Sequence, residues 1–359
     1  PGTLVMPALV NAHAHLDLTT LGTQSFPGSF VTWVRRLMEQ WTQYAAGFAS
    51  TQQAAQHAVQ LGAQQSLAQG VAFIGDISDE PTAALALERA GLSGVSYLEV
   101  LGIQGDTMQQ GLDAIRLREH DAEFSIRPHA PQPLTNTAAV RLGIQPHAPY
   151  STGPAIYQAA AELGDRMDLP LCTHLAETTE ELEFVARGAG PFRQLLESMN
   201  KWDKSILAHY GRNQHPIDWL EPILDQLSGF RTGRKFKGQF RNRWLLAHCN
   251  YAGDDQIEVL ARTGVSVAYC PIASDYFGHP RAGTDELGKP RLSGHRYRAM
   301  MEAMVNVCLG TDSILCQPAD EPQPMSILQQ MRHIYRRDRS EEHTSELQSP
   351  CNLVCRLLL

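Results

Sequence analysis

The chain has 359 residues, a formal net charge of −8 and a hydrophobic fraction of 43%. That length suits one large α/β barrel or two average domains, and the apolar fraction excludes a disordered chain. The mild acidity gives no electrostatic basis for nucleic acid or an anionic membrane as a partner, and no apolar run reaches the roughly 18 residues that span a bilayer.

Short apolar runs alternate along the chain with segments of helical period. Eight runs predict strands buried on both faces, as in a parallel sheet, and they are Leu4–Val10, Val71–Ile77, Val95–Leu101, Arg141–Gln145, Leu169–Thr173, Trp244–His248, Val265–Tyr269 and Asn306–Leu309. The helical segments between and after them are Phe30–Gly70, Thr82–Ala90, Met108–Glu119, Pro154–Met167, Thr179–Val185, Phe192–Met199, Asp254–Thr263, His295–Ala303 and Met325–Arg336. Eight such β-then-α units predict a (β/α)₈ TIM barrel over residues 1–338, with a doubly wound sheet as the alternative.

The end of the chain does not continue this pattern. Polar residues after residue 340 break the helical period, and the last three residues are leucines. We expect residues 339–359 to be a non-native tail outside the fold.

The first chemical signal is the pair His13 and His15, which follows the first apolar run. Residues i and i+2 of a strand point to the same side, so the two imidazoles converge at a strand's carboxyl end, where barrel enzymes build their active sites. Neutral imidazole nitrogens suit Zn²⁺ or Fe²⁺. Two histidines at a strand edge are also common as polar surface, so the pair alone leaves both interpretations open.

Further polar residues fall at three more predicted strand ends. His174 and Glu177 follow the fifth run, His248 ends the sixth, and Asp312 follows the eighth. Taken singly, each residue has an ordinary structural explanation. Asp312 could lie in a turn, and Glu177 could stand at a helix N-terminus beside the capping-box pattern Thr178–Glu181. Together, three histidines and a carboxylate predict a metal site with room for a water, which is the catalytic arrangement.

These residues stand in motifs that resemble those of the amidohydrolase superfamily, in its branch of deaminases and chlorohydrolases. The motifs are PALVNAHAH at 7–15, HAPYS at 147–151, HLAET at 174–178, AHC at 247–249 and GTDS at 310–313. Their order and spacing match over residues 1–338. The stretch 270–279 also resembles adenosine-type and aminofutalosine-deaminase-like members.

The resemblance implies one divalent metal ion, Zn²⁺ or alternatively Fe²⁺. Its ligands would be His13, His15, His174 and Asp312. Members that hold two metals bridge them with a modified lysine on strand four, whereas the first lysine of this chain is Lys201, well past that strand. We therefore expect a mononuclear site.

The resemblance also implies a reaction and the residues that perform it. Glu177 would bind the substrate and transfer protons, and His248 would orient the attacking water. Asp312 would also accept the first proton from that water, and His147 would contact the substrate. The implied reaction is hydrolytic deamination of an aminated N-heterocycle, purine- or nucleoside-like. Hydrolytic dechlorination and cyclic amide hydrolysis are alternatives on the same site, and a non-catalytic binding homologue is the alternative outside the enzymes.

Two features depart from the resemblance. The superfamily's small β-sandwich, built from segments on both sides of the barrel, is not expected in this chain. Adenosine-type members also carry an acidic residue early after strand one, where Val31 and Thr32 stand here and Glu39 is the nearest carboxylate. That difference argues against a nucleoside substrate.

The remaining expectations concern partners and compartment. We expect a small-molecule substrate and neither nucleic acid nor membrane as a partner, and a homo-oligomer remains open. The 7 cysteines have no regular spacing, and most lie in or beside apolar runs. This pattern is typical of reduced thiols in a cytoplasmic enzyme.

Overall fold

The computed structural model describes residues 6–79, 82–125, 140–226, 242–279, 294–319 and 325–341. Its strands are β1 Leu9–His15, β2 Val71–Ser78, β3 Ser93–Val100, β4 Val140–Pro146, β5 Leu171–Leu175, β6 Trp244–His248, β7 Ser266–Tyr269, β8 Asn306–Leu309 and β9 Asp312–Ser313. Its α-helices are α1 Phe30–Ala45, α2 Thr51–Ala68, α3 Ala83–Ala90, α4 Gly105–Ser125, α5 Pro154–Met167, α6 Thr179–Arg187, α7 Pro191–Ser198, α8 Pro216–Gln226, α9 Asp254–Thr263, α10 Pro271–Tyr276, α11 Tyr297–Glu302 and α12 Ile327–Glu341.

The strands form one parallel sheet in sequential order, β8-β7-β6-β5-β4-β3-β2-β1-β9. The short strand β9 comes two residues after β8 and pairs with β1 through Ala14↔Asp312 and His15↔Ser313. The last strand therefore returns to the first, which is the topology of a barrel, whereas a doubly wound sheet reverses its strand order. The predicted (β/α)₈ architecture is confirmed and the doubly wound alternative is wrong.

Two strands differ from the predicted runs in a way that matters for the site. Strand β1 is placed five residues later than the run Leu4–Val10 and includes His13 and His15, and β5 continues through His174 to Leu175. The prediction ended both strands before polar side chains. These side chains are buried, however, and His13 has no exposed surface. The histidines therefore lie on the strands and not after them.

The helices also differ from the prediction. Helix α8 was not predicted, although Ile217, Leu220 and Leu224 form its buried face at helical spacing. Pro222 lies inside it and disfavours a helix when the sequence is taken alone. The last predicted helix extends to Glu341, past residue 338. The remainder of the expected tail, residues 342–359, lies outside the described residues.

Apolar packing surrounds the strands, and it is tight behind His13. Outside the barrel, the helices pack on the strands through one large apolar cluster, and Ile77, Tyr97 and Cys172 form a second, smaller one. A β-carbon at Gly310 would lie 2.8 Å from the carbonyl oxygen of His13, so this position between β8 and β9 admits only glycine without movement. Among the described residues, no helix has both the length and the apolarity needed to cross a bilayer.

Candidate active site

The four predicted metal ligands converge at the carboxyl ends of the strands. The Nε2 atoms of His13 and His15 lie 3.9 and 3.8 Å from Oδ1 of Asp312. Nε2 of His15 lies 3.1 Å from Nε2 of His174. Ligand atoms of His13, His15 and Asp312 all lie within 4.8 Å of one another, as do those of His13, His174 and His248. Residues 299 positions apart in the chain thus face one small volume.

The residues fit a divalent cation. Both ring nitrogens of His13 are buried without a hydrogen-bond partner among the described residues, and an unpaired buried polar atom is costly unless something binds it. A tetrahedral ion with bonds of about 2.1 Å separates its ligands by roughly 3.4 Å, close to the separations seen here. Burial first, and repulsion among neighbouring histidines second, lower the pKa of His13, His15 and His174. The imidazoles are therefore neutral, which is the form that binds metals.

Hydrogen bonding also orients His174 for a cation. Its Nδ1 lies 3.1 Å from the carbonyl oxygen of His147, which can only accept, so the proton resides on Nδ1. Nε2 is then left with a lone pair that points towards His15. The buried side chain of Gln145 packs beside the same ring, with its amide nitrogen 3.2 Å from Nδ1. Outer contacts of this kind fix ring orientation in metal sites.

Glu177 and His248 form the second part of the site. Nε2 of His248 lies 3.6 Å from Oε1 of Glu177, and the two side chains are 1% and 6% exposed. Ligand atoms of Glu177, His248 and Asp312 lie within 4.8 Å of one another. Burial, and then the nearby carboxylate of Asp312, raise the pKa of Glu177 well above its usual value. A carboxyl group whose pKa is raised by burial thus stands beside the histidines.

A buried carboxylate that the sequence suggested only as a helix cap holds Glu177 in place. Oε1 and Oε2 of Glu181 accept hydrogen bonds from the backbone N–H groups of Ala176 (2.9 Å) and Glu177 (2.8 Å). Thr178 caps the backbone N–H of Glu181, as the capping-box pattern predicted. In a capping box the glutamate binds the N-cap N–H. Here it binds the two preceding residues and fixes the segment that carries Glu177.

The predicted substrate contact His147 lies at the edge of the same site. Its Nδ1 is 2.5 Å from Oγ of Ser151, and its Nε2 is 3.8 Å from Oε1 of Glu99. Burial lowers the pKa of His147 to about 4, so the ring is neutral. Ligand atoms of Glu99, His147 and His174 lie within 4.8 Å of one another.

A cavity of about 400 Å³ opens onto these residues. The residues of the site that line it are His15, His147, His174, His248, Glu177 and Asp312. Helices α1 and α7 supply an apolar wall, and its residues are Phe30, Trp33, Val34, Leu37, Phe192, Leu195 and Leu196. The ring of Tyr150 stacks on Phe192 at a centroid distance of 3.7 Å. Asp17, Asp79 and Glu99 also line the cavity, whose size suits a small-molecule ligand.

The structure also shows residues whose roles the sequence did not reveal. Asn11 donates to Oγ1 of Thr311 (2.8 Å) and accepts from its backbone N–H (3.1 Å), which ties β1 to the turn that carries Asp312. Nε2 of His295 lies 2.7 Å from the carbonyl oxygen of His248. Asn11 stood inside the histidine motif and could have been noticed. Nothing near His295 in the sequence marks it.

The chain also matches known proteins in sequence. A model of the amidohydrolase family matches residues 4–347. The chain is 28% identical over 314 residues to an aminodeoxyfutalosine deaminase of Deinococcus radiodurans, a match that covers 87% of this chain and 64% of that relative. The chain therefore spans a little under two thirds of the length of this relative.

Solved structures show the same fold. An adenosine deaminase from Xanthomonas campestris with zinc bound superposes with a TM-score of 0.60 at 18% identity, over 94% of this chain and 61% of that one. A triazine hydrolase from Arthobacter aurescens gives a TM-score of 0.61 at 16% identity, over 94% and 64%. Identities this low support the barrel and do not transfer a reaction.

Proposed function

The chain belongs to the amidohydrolase family, and from this premise we propose that it is a metal-dependent hydrolase that deaminates an aminated N-heterocycle. The observation that carries the proposal is the convergence of His13, His15, His174 and Asp312 on one volume, with Glu177 beside it in the same cavity. This donor set suits Zn²⁺, with Fe²⁺ as the alternative. When bound, the metal supplies a hydroxide nucleophile near neutral pH.

The protein's own groups manage the protons. Attack on an sp² ring carbon makes a tetrahedral adduct, and ammonia leaves only after its nitrogen has gained a proton. Glu177 faces the cavity and is placed to give its proton to the ring nitrogen, to take one from the water and to pass that one to the leaving amine. His248 lies 3.6 Å from Glu177 and orients the attacking water. His147 contacts the substrate from the cavity edge.

The cavity supports a substrate larger than a bare heterocycle. Its apolar wall from α1 and α7 suits an apolar substituent, and the relative from Deinococcus radiodurans is an aminodeoxyfutalosine deaminase. No carboxylate stands at Val31 or Thr32, but Asp79 and Glu99 line the cavity from the β2 and β3 side. The carboxyl groups of these two side chains can form hydrogen bonds with sugar hydroxyls. We therefore propose an aminated purine nucleoside with an apolar substituent as the substrate class.

The test is ammonia release by the zinc-loaded full chain. The panel contains aminated purines, pyrimidines and pterins, adenosine, and adenosines with apolar 5′ substituents. Release from a panel member, lost in Glu177→Gln while about one metal per chain is retained, supports the proposal. Chloride release from a chlorotriazine without ammonia release from the panel would replace deamination by dechlorination. No product of either kind from a metal-loaded chain would contradict the proposed function.

The state of the cysteines supports a proposal for the compartment. Cys172, Cys249, Cys270, Cys308 and Cys316 are buried free thiols. Buried unpaired thiols support the reducing environment of the cytoplasm. We include a cytoplasmic location in the proposal on that ground, and thiol titration of the purified protein checks the reduced state.

A further inference from the structure

The backbone at His248 has an unusual conformation. His248 ends β6 with φ 72°, and Cys249 follows with φ 52°, so two successive residues with side chains occupy the left-handed region. The N–H of Cys249 lies 3.2 Å from the carbonyl oxygen of Ala247 and 2.8 Å from that of Leu175. A bond from residue i+2 back to residue i around a central φ near +75° is a rare and strained γ-turn. Such strain persists only where neighbouring groups hold it.

The side chain of His248 cannot hold this turn. Neither ring nitrogen has a hydrogen-bond partner among the described residues, and the ring is 1% exposed. Its direction therefore depends on its backbone and on ring contacts, such as stacking with His174 at 5.4 Å. A shift of the backbone would move Nε2 relative to Glu177.

The carbonyl group of His248 is held by a residue 47 positions later. Nε2 of His295 lies 2.7 Å from that oxygen, and His295 is 6% exposed. Because a carbonyl oxygen only accepts, the proton of His295 lies on Nε2. The His295 ring stacks on Tyr269 at 3.8 Å and 20°, and the Tyr269 hydroxyl accepts from Nη1 of Arg337 at 2.5 Å. The donor is thus itself fixed from β7 and α12.

We propose that His295 is a positioning residue for His248: its Nε2–H holds the strained turn that directs the His248 imidazole towards Glu177. The inference deepens the proposed function and rests on it for its kinetic consequence. The structural claim is independent of activity, because the conformation of residue 248 can be measured in a protein that turns over nothing.

Two variants separate the hydrogen bond from the packing. His295→Phe keeps an aromatic ring against Tyr269 and removes the donor, whereas His295→Gln restores an N–H donor at a similar reach. In crystal structures of the full chain, we expect residue 248 to leave the left-handed region in His295→Phe and to keep it in His295→Gln. An unchanged turn in His295→Phe would overturn the proposal. Should that variant fail to fold, His295→Asn, whose amide is too short to reach, takes its place with the same expectation.

Kinetics on the best substrate give the second readout. We expect His295→Phe to lower kcat by about 10- to 100-fold, since small displacements of a catalytic group cost this much, with KM and metal content nearly unchanged. His295→Gln should recover most of the loss. A fall in metal content, or an equal loss in both variants, would show a general structural role and contradict the proposal.

A double variant tests whether His295 acts through His248. If His295 acts through His248, then adding His295→Phe to His248→Asn should cause no further loss of kcat. Multiplied losses would contradict the inference. If the wild-type chain deaminates nothing, the proposed function fails, and the crystal structures still decide whether His295 holds the turn.

Discussion

Glu181→Gln tests how the fold holds its proton-transfer group. Glu181 has no exposed surface, and its two oxygens accept from the N–H groups of Ala176 and Glu177. Burial raises the pKa of Glu181 to about 7, while those two hydrogen bonds act in the opposite direction. Glutamine keeps the shape but has one oxygen, so one buried N–H would face an NH₂ group. An unsatisfied buried donor costs about 1–3 kcal/mol.

The stability change can be converted into a melting temperature. The entropy of unfolding is about 2.1 cal/mol/K per residue. For a chain of 359 residues, a loss of about 2 kcal/mol in the free energy of unfolding therefore lowers the melting temperature by roughly 3 °C. We also expect kcat to fall by about 10-fold or more, because the segment that carries Glu177 loses one of its two anchors. Differential scanning calorimetry and ammonia release measure the two effects.

The neighbouring residue supplies a matched control. Glu180 is part-exposed, and its carboxylate accepts from Oγ1 of Thr179 at 3.0 Å. Glu180→Gln removes the same charge one position away and should stay within about 0.5 kcal/mol of the wild type. Equal melting temperatures and equal kcat in Glu181→Gln and Glu180→Gln would refute the view that Glu181 anchors the Glu177 segment.

The remaining predictions concern the metal and His248. His13→Ala should bind clearly less than one metal per chain by elemental analysis, and an unchanged stoichiometry would remove His13 from the ligand set. His248→Asn should lower kcat by about 10²- to 10⁴-fold with its metal retained; loss of the metal would instead make His248 a ligand. Chelation should lower the melting temperature, since a ligand at 1,000 times its Kd adds about 4 kcal/mol, roughly 5 °C for this chain. Adding zinc should restore the melting temperature. A melting temperature that chelation leaves unchanged would argue against a buried metal.

Much of the fold could be predicted from apolar periodicity. The runs Trp244–His248 and Asn306–Leu309 match β6 and β8 residue for residue, because nothing polar interrupts them before the strand ends. The same criterion failed on β1, where Asn11, His13 and His15 continue the strand. A rule that reads polar residues as the end of a strand fails where the strand itself carries the polar site, as it does here.

The site itself was predictable to the extent that it depends on strand ends. His13 and His15 alternate along one strand, and parallel strands place their carboxyl ends together, so convergence with His174 and Asp312 followed from the barrel. The supporting contacts did not follow. Gln145 and His295 meet the site through the packing of elements far apart in sequence, and no local pattern encodes such contacts.

The supporting contacts share a physical purpose. Ala176, His248, Cys249 and Asp312 all have positive φ, between 50° and 72°, and all lie within three residues of the end of β5, β6 or β8. Each such residue costs of order 1–3 kcal/mol, so the barrel does not adopt these conformations without compensation. Ala176 is held by Glu181, His248 by His295, and the carboxylate of Asp312 by the N–H of Ser313 at 2.8 Å. A strand that simply continued would direct its last side chains alternately inward and outward. The left-handed turns break that alternation, and the buried partners that stabilise them thereby help decide which side chains reach the cavity.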